Sequence, residues 1–235
     1  FRDVLDQAPD HGPTVEALEA LGGRAGYAAR TAAMLEPIYL ARGDNPKLIG
    51  ALEARIAAED DVVARKELLT RLGTLYEEGL GDLDSALKTY ARVFREELGD
   101  RETWATMARI AARLGRWDRL AEIYAAALEE TTSDDEVTAE LSFQTARLFD
   151  ERVGDTARAR TYYRRALAFD PSREEVFGAI EALLTRENAH RELLALYREA
   201  ADRADDVEAR KGYLFKIAAI DESALNDAPR AIADY

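Results

Sequence analysis

The chain is 235 residues long, 47% of its residues are hydrophobic, and its net charge at pH 7 is -14. This hydrophobic content is ample for a buried core, which excludes a disordered acidic tail. An acidic surface repels phosphate backbones, so nucleic acid is not an expected partner. Helix-favouring Ala, Leu, Glu and Arg dominate, and strand-like runs of Val, Ile and Thr are few, so we predict an all-α fold.

The residue inventory also bears on chemistry and on cellular location. The absence of cysteine excludes disulfides, thiolate zinc sites and a thiol nucleophile. No run approaches 18 consecutive apolar residues, and the first ten residues lack a signal-peptide pattern, so we expect no membrane insertion. Five of the 32 basic residues are lysine, a bias we associate with GC-rich bacteria, and we therefore expect a cytoplasmic bacterial protein.

The beginning of the chain is its least regular part. Phe1 and Val4 fit the second helix of a helical hairpin of the repeat pattern described below, and Pro9 fits the next position of that pattern. Three glycines within residues 22–26 then interrupt the apolar periodicity and predict a helix break or an irregular repeat there. A phosphate-binding loop is the alternative for these glycines. It is disfavoured because they follow a helix and lack the Gly-Lys-Ser/Thr ending.

From residue 43 onward the apolar residues fall three and four positions apart, which is the period of an amphipathic helix. Residues that tolerate a left-handed backbone punctuate the pattern and predict the hairpin turns. These turn residues are Gly43, Gly81, Gly115, Gly154 and Asn188.

Acidic and hydroxyl residues mark the expected helix starts. Capping-box spacing occurs at Ser133 with Glu136, at Ser172 with Glu175, and at Asp205 with Glu208. Acidic runs at 59–61, 134–136 and 205–206 precede the first helices of hairpins, where carboxylates cap free amides. A divalent-metal site is the alternative for these runs, but none has the twelve-residue ligand pattern of a calcium loop.

The chain repeats itself at a long period. Residues 75–82 superpose on 148–155 and then on 220–227, with steps of 73 and 72 residues. Between them lies a second set of matching segments, in which residues 114–124 superpose on 187–197. Each period therefore holds two hairpins of about 34 to 39 residues. Hairpins of the first set carry one additional turn residue. The recurring aromatics are expected in the core, not in a ligand cage; they are Tyr76, Tyr90, Tyr124, Phe149, Tyr163 and Tyr197.

These positions resemble the tetratricopeptide repeat (TPR) family. One hairpin carries the family pattern as Trp104, Met107, Ala108, Ala111, Gly115, Trp117, Leu120, Tyr124 and Ala127. The resemblance implies a right-handed α-solenoid of stacked antiparallel hairpins, formed by a single array over residues 1–235. Phe1 and Tyr235 both fall at the aromatic position of a second helix, so we expect the array to be cut within a repeat at both ends.

The resemblance also implies a function and a surface. Arrays of this family act as non-catalytic scaffolds or adaptors, and the first helix of each hairpin lines a concave face. The matching offsets are Arg109, Arg113, Phe143, Arg147, Arg186 and Phe215. Such residues suit an acidic or amphipathic peptide through bidentate pairing and stacking. Alternatively, the arginines pair with nearby Asp and Glu on a solvated face.

Other functions are weighed against the scaffold. One alternative is a regulatory or substrate-selecting arm of a larger enzyme, with the catalytic domain outside these residues. Another is a nucleic-acid-binding array, which the net charge disfavours. We expect no catalytic residue, no metal and no cofactor, since no nucleophile motif is present. His11 and His190 lack partners at ligand spacing and are interpreted as structural or exposed residues.

Overall fold

The computed structural model describes residues 1–8, 11–24 and 26–223. Over these residues the chain forms α-helices and two π-helical turns, without a strand, so the all-α prediction is confirmed. The helices are α1 (Arg2–Gln7), α2 (Gly12–Gly22), α3 (Ala28–Arg42), α4 (Asn45–Ala57), α5 (Val62–Thr74), α6 (Leu83–Glu96), α7 (Arg101–Leu114), α8 (Trp117–Glu130), α9 (Glu136–Arg147), α10 (Thr156–Phe169), α11 (Glu174–Arg186), α12 (His190–Arg203) and α13 (Val207–Ser223).

The helices group into two compact units, Phe1–Arg116 and Trp117–Tyr235. In the first unit α3 packs against α4, and α5 packs against α6. In the second unit α9 packs against α10, and α12 packs against α13. Each unit is thus built from helices that pack on their neighbours in the chain. The array over residues 1–235 and its truncated ends stay predictions, and Pro9 and Tyr235 lie outside the described residues.

All five predicted turn residues have a left-handed backbone, with φ between +54° and +80°. A side chain with a Cβ is strained in this region, which is why glycine or asparagine stands at each turn. Near the start of the chain, α2 ends at Gly22 and α3 begins at Ala28. Between them Gly26 also has a positive φ, of +83°.

Aspartates cap most of the helices. A carboxylate accepts a hydrogen bond from a free amide of the first turn, as where Asp61 accepts from the backbone N–H of Ala64 at 2.8 Å. The prediction that the acidic runs are caps is therefore confirmed, since Asp135 and Asp206 do the same. The further capping aspartates are Asp44, Asp82, Asp100 and Asp155.

The predicted capping boxes were placed one or two residues too early. Helix α9 begins after Asp135, which forms a capping box with Thr138, while Ser133 donates its hydroxyl to Asp135 at 2.6 Å. Ser172 likewise donates to Asp170, at 2.6 Å, and the residue before α11 is Arg173, which makes no side-chain cap. At α9 the carboxylate of Asp135 caps the helix in place of Ser133, since aspartate caps as well as serine does, whereas α11 has no side-chain cap.

The recurring aromatics form the core, as predicted. Tyr90, Tyr124, Phe149, Tyr163 and Tyr197 are all buried, and Tyr76 is half-buried. Aromatic neighbours add edge and stacked contacts, which stabilise a core beyond the area buried.

Candidate interaction site

Two π-helical turns set the position of the candidate site. Helix α5 continues into a π-helical turn over Leu75–Gly79, and α9 continues into one over Leu148–Val153. In the first of these turns the N–H of Leu80 donates to the carbonyl of Leu75 at 3.1 Å, five residues back. A π-turn absorbs an additional residue in a helix and is frequent at functional sites. The additional residue seen in the sequence of these hairpins is accommodated in this way.

The first π-turn carries a buried carboxylate that holds two arginines. The side chain of Glu77 is 5% exposed and accepts both terminal nitrogens of Arg109, with Nη2 and Oε2 2.9 Å apart. Arg113 donates to Oε1 of the same carboxylate at 2.7 Å. The hydrogen bonds from Arg109 lower the pKa of Glu77, and they outweigh burial, which raises it. Two cations therefore share one buried anion at this turn, with the exposed carboxylate of Glu78 beside them.

The second π-turn repeats this arrangement 73 residues later. Arg186 donates to the carboxylate of Asp150, whose side chain is 9% exposed and which also accepts from the hydroxyl of Tyr163 at 3.4 Å. Arg147 donates from Nε to Oε1 of Glu151 at 3.0 Å, and this hydrogen bond raises the pKa of Arg147. Adjacent carboxylates of one turn thus anchor two arginines from different helices.

The six predicted site residues do not form one continuous group in the structure. Arg109 and Arg113 lie together on α7, and Arg147 and Arg186 lie together at the second π-turn. We call these the first and second arginine clusters. Between 43% and 56% of each arginine side chain is exposed. Phe215 is 57% exposed on α13.

Phe143 does not present its ring at the surface, in contrast to the prediction. It is 2% exposed, because its ring packs against Tyr163 with the ring centroids 6.0 Å apart. The guanidinium groups of Arg173 and Arg147 lie 5.1 and 5.9 Å from the centroid of that ring. Phe143 therefore supports Arg147 from below instead of contacting a ligand.

Sequence reasoning identified the arginines but missed the carboxylates beneath them. Glu77 and Asp150 occupy equivalent positions of the long repeat, and that equivalence was the available signal. A third buried carboxylate, Glu36 on α3, accepts from Arg55 and Arg71. In the structure the predicted arginines pair with Asp and Glu, as the alternative interpretation expected. The chemical result is a set of guanidinium groups that are fixed in position and half open to solvent.

The described part of the chain holds no group of three or more His, Cys, Asp or Glu residues that could bind a metal ion. Within the described helices none combines the length and the apolar character needed to cross a bilayer. The ring nitrogen Nδ1 of His11 lies 2.8 Å from the hydroxyl of Thr14, beside the start of α2.

Comparison with known proteins agrees with the helical class. Residues 103–137 match the tetratricopeptide repeat family. Among solved structures the chain is similar to MamA (41-end) from Desulfovibrio magneticus, at 14% identity over 86% of this chain and 99% of that one, with a TM-score of 0.36. It is also similar to a tetratricopeptide repeat protein from Parabacteroides merdae, at 17% identity over 89% and 78%, with a TM-score of 0.38. No curated protein matches.

The class of protein follows from the helices and the family match together. Serial helical hairpins with left-handed turns make this an all-α helical repeat protein. The family match at 103–137 covers most of α7 and all of α8, and the long sequence repeat is found on either side of it. The chain is thus a TPR-like helical repeat protein, as the sequence resemblance predicted.

Proposed function

We propose that this chain is a non-catalytic scaffold or adaptor that holds a protein or peptide partner on the arginine clusters. Repeats of this kind generally serve protein–protein interaction, and they offer extended surfaces in place of an enclosed polar pocket. The partner segment we propose is acidic or amphipathic, because guanidinium groups pair with carboxylates in two parallel hydrogen bonds.

The observation that carries this proposal is the anchoring of half-exposed arginines by carboxylates below them. Glu77 and Asp150 are nearly inaccessible to solvent, so they fix the guanidinium groups without themselves being available to a partner. An arginine held in this way loses less conformational freedom on binding than a free surface arginine does. The first cluster also places two guanidinium groups on one carboxylate, on a chain whose net charge is -14.

The test uses two labelled peptides of about 12 residues, since an extended peptide is a common ligand of such surfaces. The acidic probe alternates Glu with Leu, and the basic probe alternates Arg with Leu. Arg113→Gln combined with Arg147→Gln removes one arginine from each cluster. Glu77 keeps its bidentate partner Arg109, and Glu151 is exposed, so the double variant should fold. We expect binding of the acidic probe in fluorescence anisotropy to weaken by about five- to thirtyfold, since each charged contact contributes about 0.5–1 kcal/mol.

The matched control removes the same charge from second helices of hairpins. Lys88→Gln on α6 and Arg191→Gln on α12 change exposed cations, so binding should stay within about twofold of the wild type. Because the whole chain repels an acidic peptide, any binding must come from a local feature. Equal weakening by the control pair, or no binding of the acidic probe to the wild-type chain, would contradict the proposal.

A further inference from the structure

A second surface feature lies in the second unit, and it shares no residue with the arginine clusters. It is a cleft of about 660 Å³ between α11, α12 and α13, closed at one end by the loops that precede α11 and α13. Clefts that bind ligands have volumes of roughly 300–1,000 Å³, so this cleft can admit several side chains.

Aromatic side chains line the inner part of the cleft. Phe177 of α11 and Tyr213 of α13 are half-buried, with their ring centroids 5.7 Å apart, and both line the cleft. Tyr197 of α12 packs against both rings, at 6.4 and 6.3 Å. The ammonium of Lys216 lies 5.0 Å from the centroid of the Tyr197 ring, so this cluster already accommodates a cation from the chain itself.

The charged groups around the cleft are mainly acidic. Of the described residues that line it, two carry cations, Arg203 and Lys216. Both cations face carboxylates, since Lys216 donates to Glu181 at 2.5 Å and Arg203 lies 3.9 Å from Glu199. Six carboxylates line the cleft, so four are in excess. These six are Asp170, Glu174, Glu181, Glu199, Asp205 and Asp206.

Gly178 of α11 is an exposed residue that lines the cleft. A Cβ built at this residue would meet no atom within 4 Å, and the backbone is helical there. The same is true of Gly212 on α13, which does not line the cleft. A larger side chain at Gly178 would therefore occupy open space at the cleft without backbone strain.

We propose that this cleft docks a basic segment of a protein partner, with an arginine or lysine stem lying along Phe177 and Tyr213. Aromatic rings attract the stem and its cationic head, and the excess carboxylates at the rim pair with that head. This chemistry is opposite to that of the arginine clusters. Docking in the cleft is therefore independent of binding at the arginine clusters.

A neutral substitution separates docking in the cleft from general attraction between the basic probe and an acidic chain. Gly178→Leu fills the cleft without changing charge, and Gly212→Leu adds the same side chain outside it. We expect Gly178→Leu to weaken binding of the basic probe by about tenfold or more, because the side chain occupies the anchor position. Gly212→Leu should leave binding within about twofold of the wild type. Equal binding by the two variants would overturn the proposal.

A second pair of variants tests the rim and remains informative if Gly178→Leu fails to fold. Glu174→Gln with Asp205→Asn removes two cleft carboxylates, while Asp134→Asn with Asp202→Asn removes two exposed carboxylates elsewhere in the second unit. The first pair should weaken binding of the basic probe by roughly fivefold more than the second pair does. Equal effects would assign the binding to net charge and overturn the proposal.

The remaining occupant to distinguish is a second copy of the chain. Sedimentation velocity of the full chain should show no dimer that Gly178→Leu dissociates. Such a dimer would assign the cleft to self-association and overturn the proposal. Arg113→Gln with Arg147→Gln should leave the basic probe unaffected, so that failure of either proposal is recognised separately.

Discussion

At the residue scale, the contact between Gly73 and Tyr90 shows how closely two helices of a hairpin approach. A Cβ at Gly73 would lie 2.9 Å from the ring of Tyr90, which is closer than real Cβ atoms come to their neighbours. The hydroxyl of Tyr90 is held 3.2 Å from the hydroxyl of Thr74, so the ring is fixed at its far end. The hairpin formed by α5 and α6 therefore depends on the absence of a side chain at this position.

We predict that Gly73→Ala destabilises the protein even though alanine favours helices. The methyl group displaces a buried ring, and such overpacking costs about 1–3 kcal/mol, which exceeds the gain in helix propensity. Urea unfolding measures the difference. The control is Gly50→Ala in α4, where a Cβ meets no atom within 4 Å and where we expect a gain of about 0.5–1 kcal/mol. Stabilisation by both substitutions would show that the ring of Tyr90 moves freely.

Residues whose role is local were predictable from the sequence, and residues whose role depends on distant partners were not. A left-handed turn requires glycine or asparagine within a few residues of the helix end, so Gly154 and Asn188 could be identified directly. The burial of Glu77 depends on arginines 32 and 36 residues further along the chain. No local pattern around Glu77 distinguishes it from exposed Glu78, and the long repeat alone pointed to it.

At the scale of the element, the π-helical turn after α5 turns one glutamate inward and leaves the next one exposed. Glu77 is buried with two arginines, whereas its neighbour Glu78 is exposed. Because the arginines lower the pKa of Glu77 below its ordinary value of 4.5, its ionised form stabilises the folded state. This contribution is present above about pH 4.5 and is lost as the pH falls through the lowered pKa of the folded state.

We predict that Glu77→Gln lowers the free energy of unfolding by about 1–3 kcal/mol near neutral pH, since two arginines lose a charged acceptor. The difference from the wild type should shrink as the pH falls below about 4.5, the ordinary pKa, and through the lowered pKa of the folded carboxylate. Urea unfolding at a series of pH values measures this. Glu78→Gln lies in the same turn and should change little at any pH. A constant difference between Glu77→Gln and the wild type across the series would refute the electrostatic explanation.

The helix starts show the limit of spacing rules at this scale. The acidic runs marked where helices begin, and Asp61, Asp135 and Asp206 cap them as expected. The same rules placed the caps of α9 and α11 too early, since Asp135 caps α9 in place of Ser133 and α11 begins after Arg173 without a side-chain cap. The residue at which each helix begins was therefore predictable to within about two positions, whereas the identity of the capping atom was not.

At the scale of the whole molecule, the net charge of -14 coexists with a large number of arginines, and the structure shows how. Arg109, Arg113 and Arg186 are paired with carboxylates of the preceding hairpin in the same unit, and Arg147 is paired with Glu151 four residues further along. The repeat itself generates this pairing, since Glu77 with Arg113 and Asp150 with Arg186 share a separation of 36 residues. Positive groups at the surface are therefore local and partly neutralised.

This distribution of charge predicts that the chain does not bind nucleic acid through its arginines. Phosphate binding requires several unneutralised cations along one face, and each contact releases counterions, so that affinity falls steeply with salt. Here the net charge repels a polyanion at long range, and the arginine clusters offer it only half-exposed groups that already have acidic partners.

We expect no shift of a labelled duplex of about 20 base pairs in a gel at low salt, and dissociation constants weaker than about 10⁻⁴ M in anisotropy, the weak end of non-specific binding. Single-stranded RNA of the same length should behave alike, because its backbone carries the same kind of charge. This expectation would be contradicted by micromolar binding in which the logarithm of the association constant falls linearly with the logarithm of the salt concentration. Such a result would mean that the arginines leave Glu77 and Asp150 to contact phosphate, and Arg113→Gln with Arg147→Gln would then reduce the salt slope, since phosphate contacts set that slope.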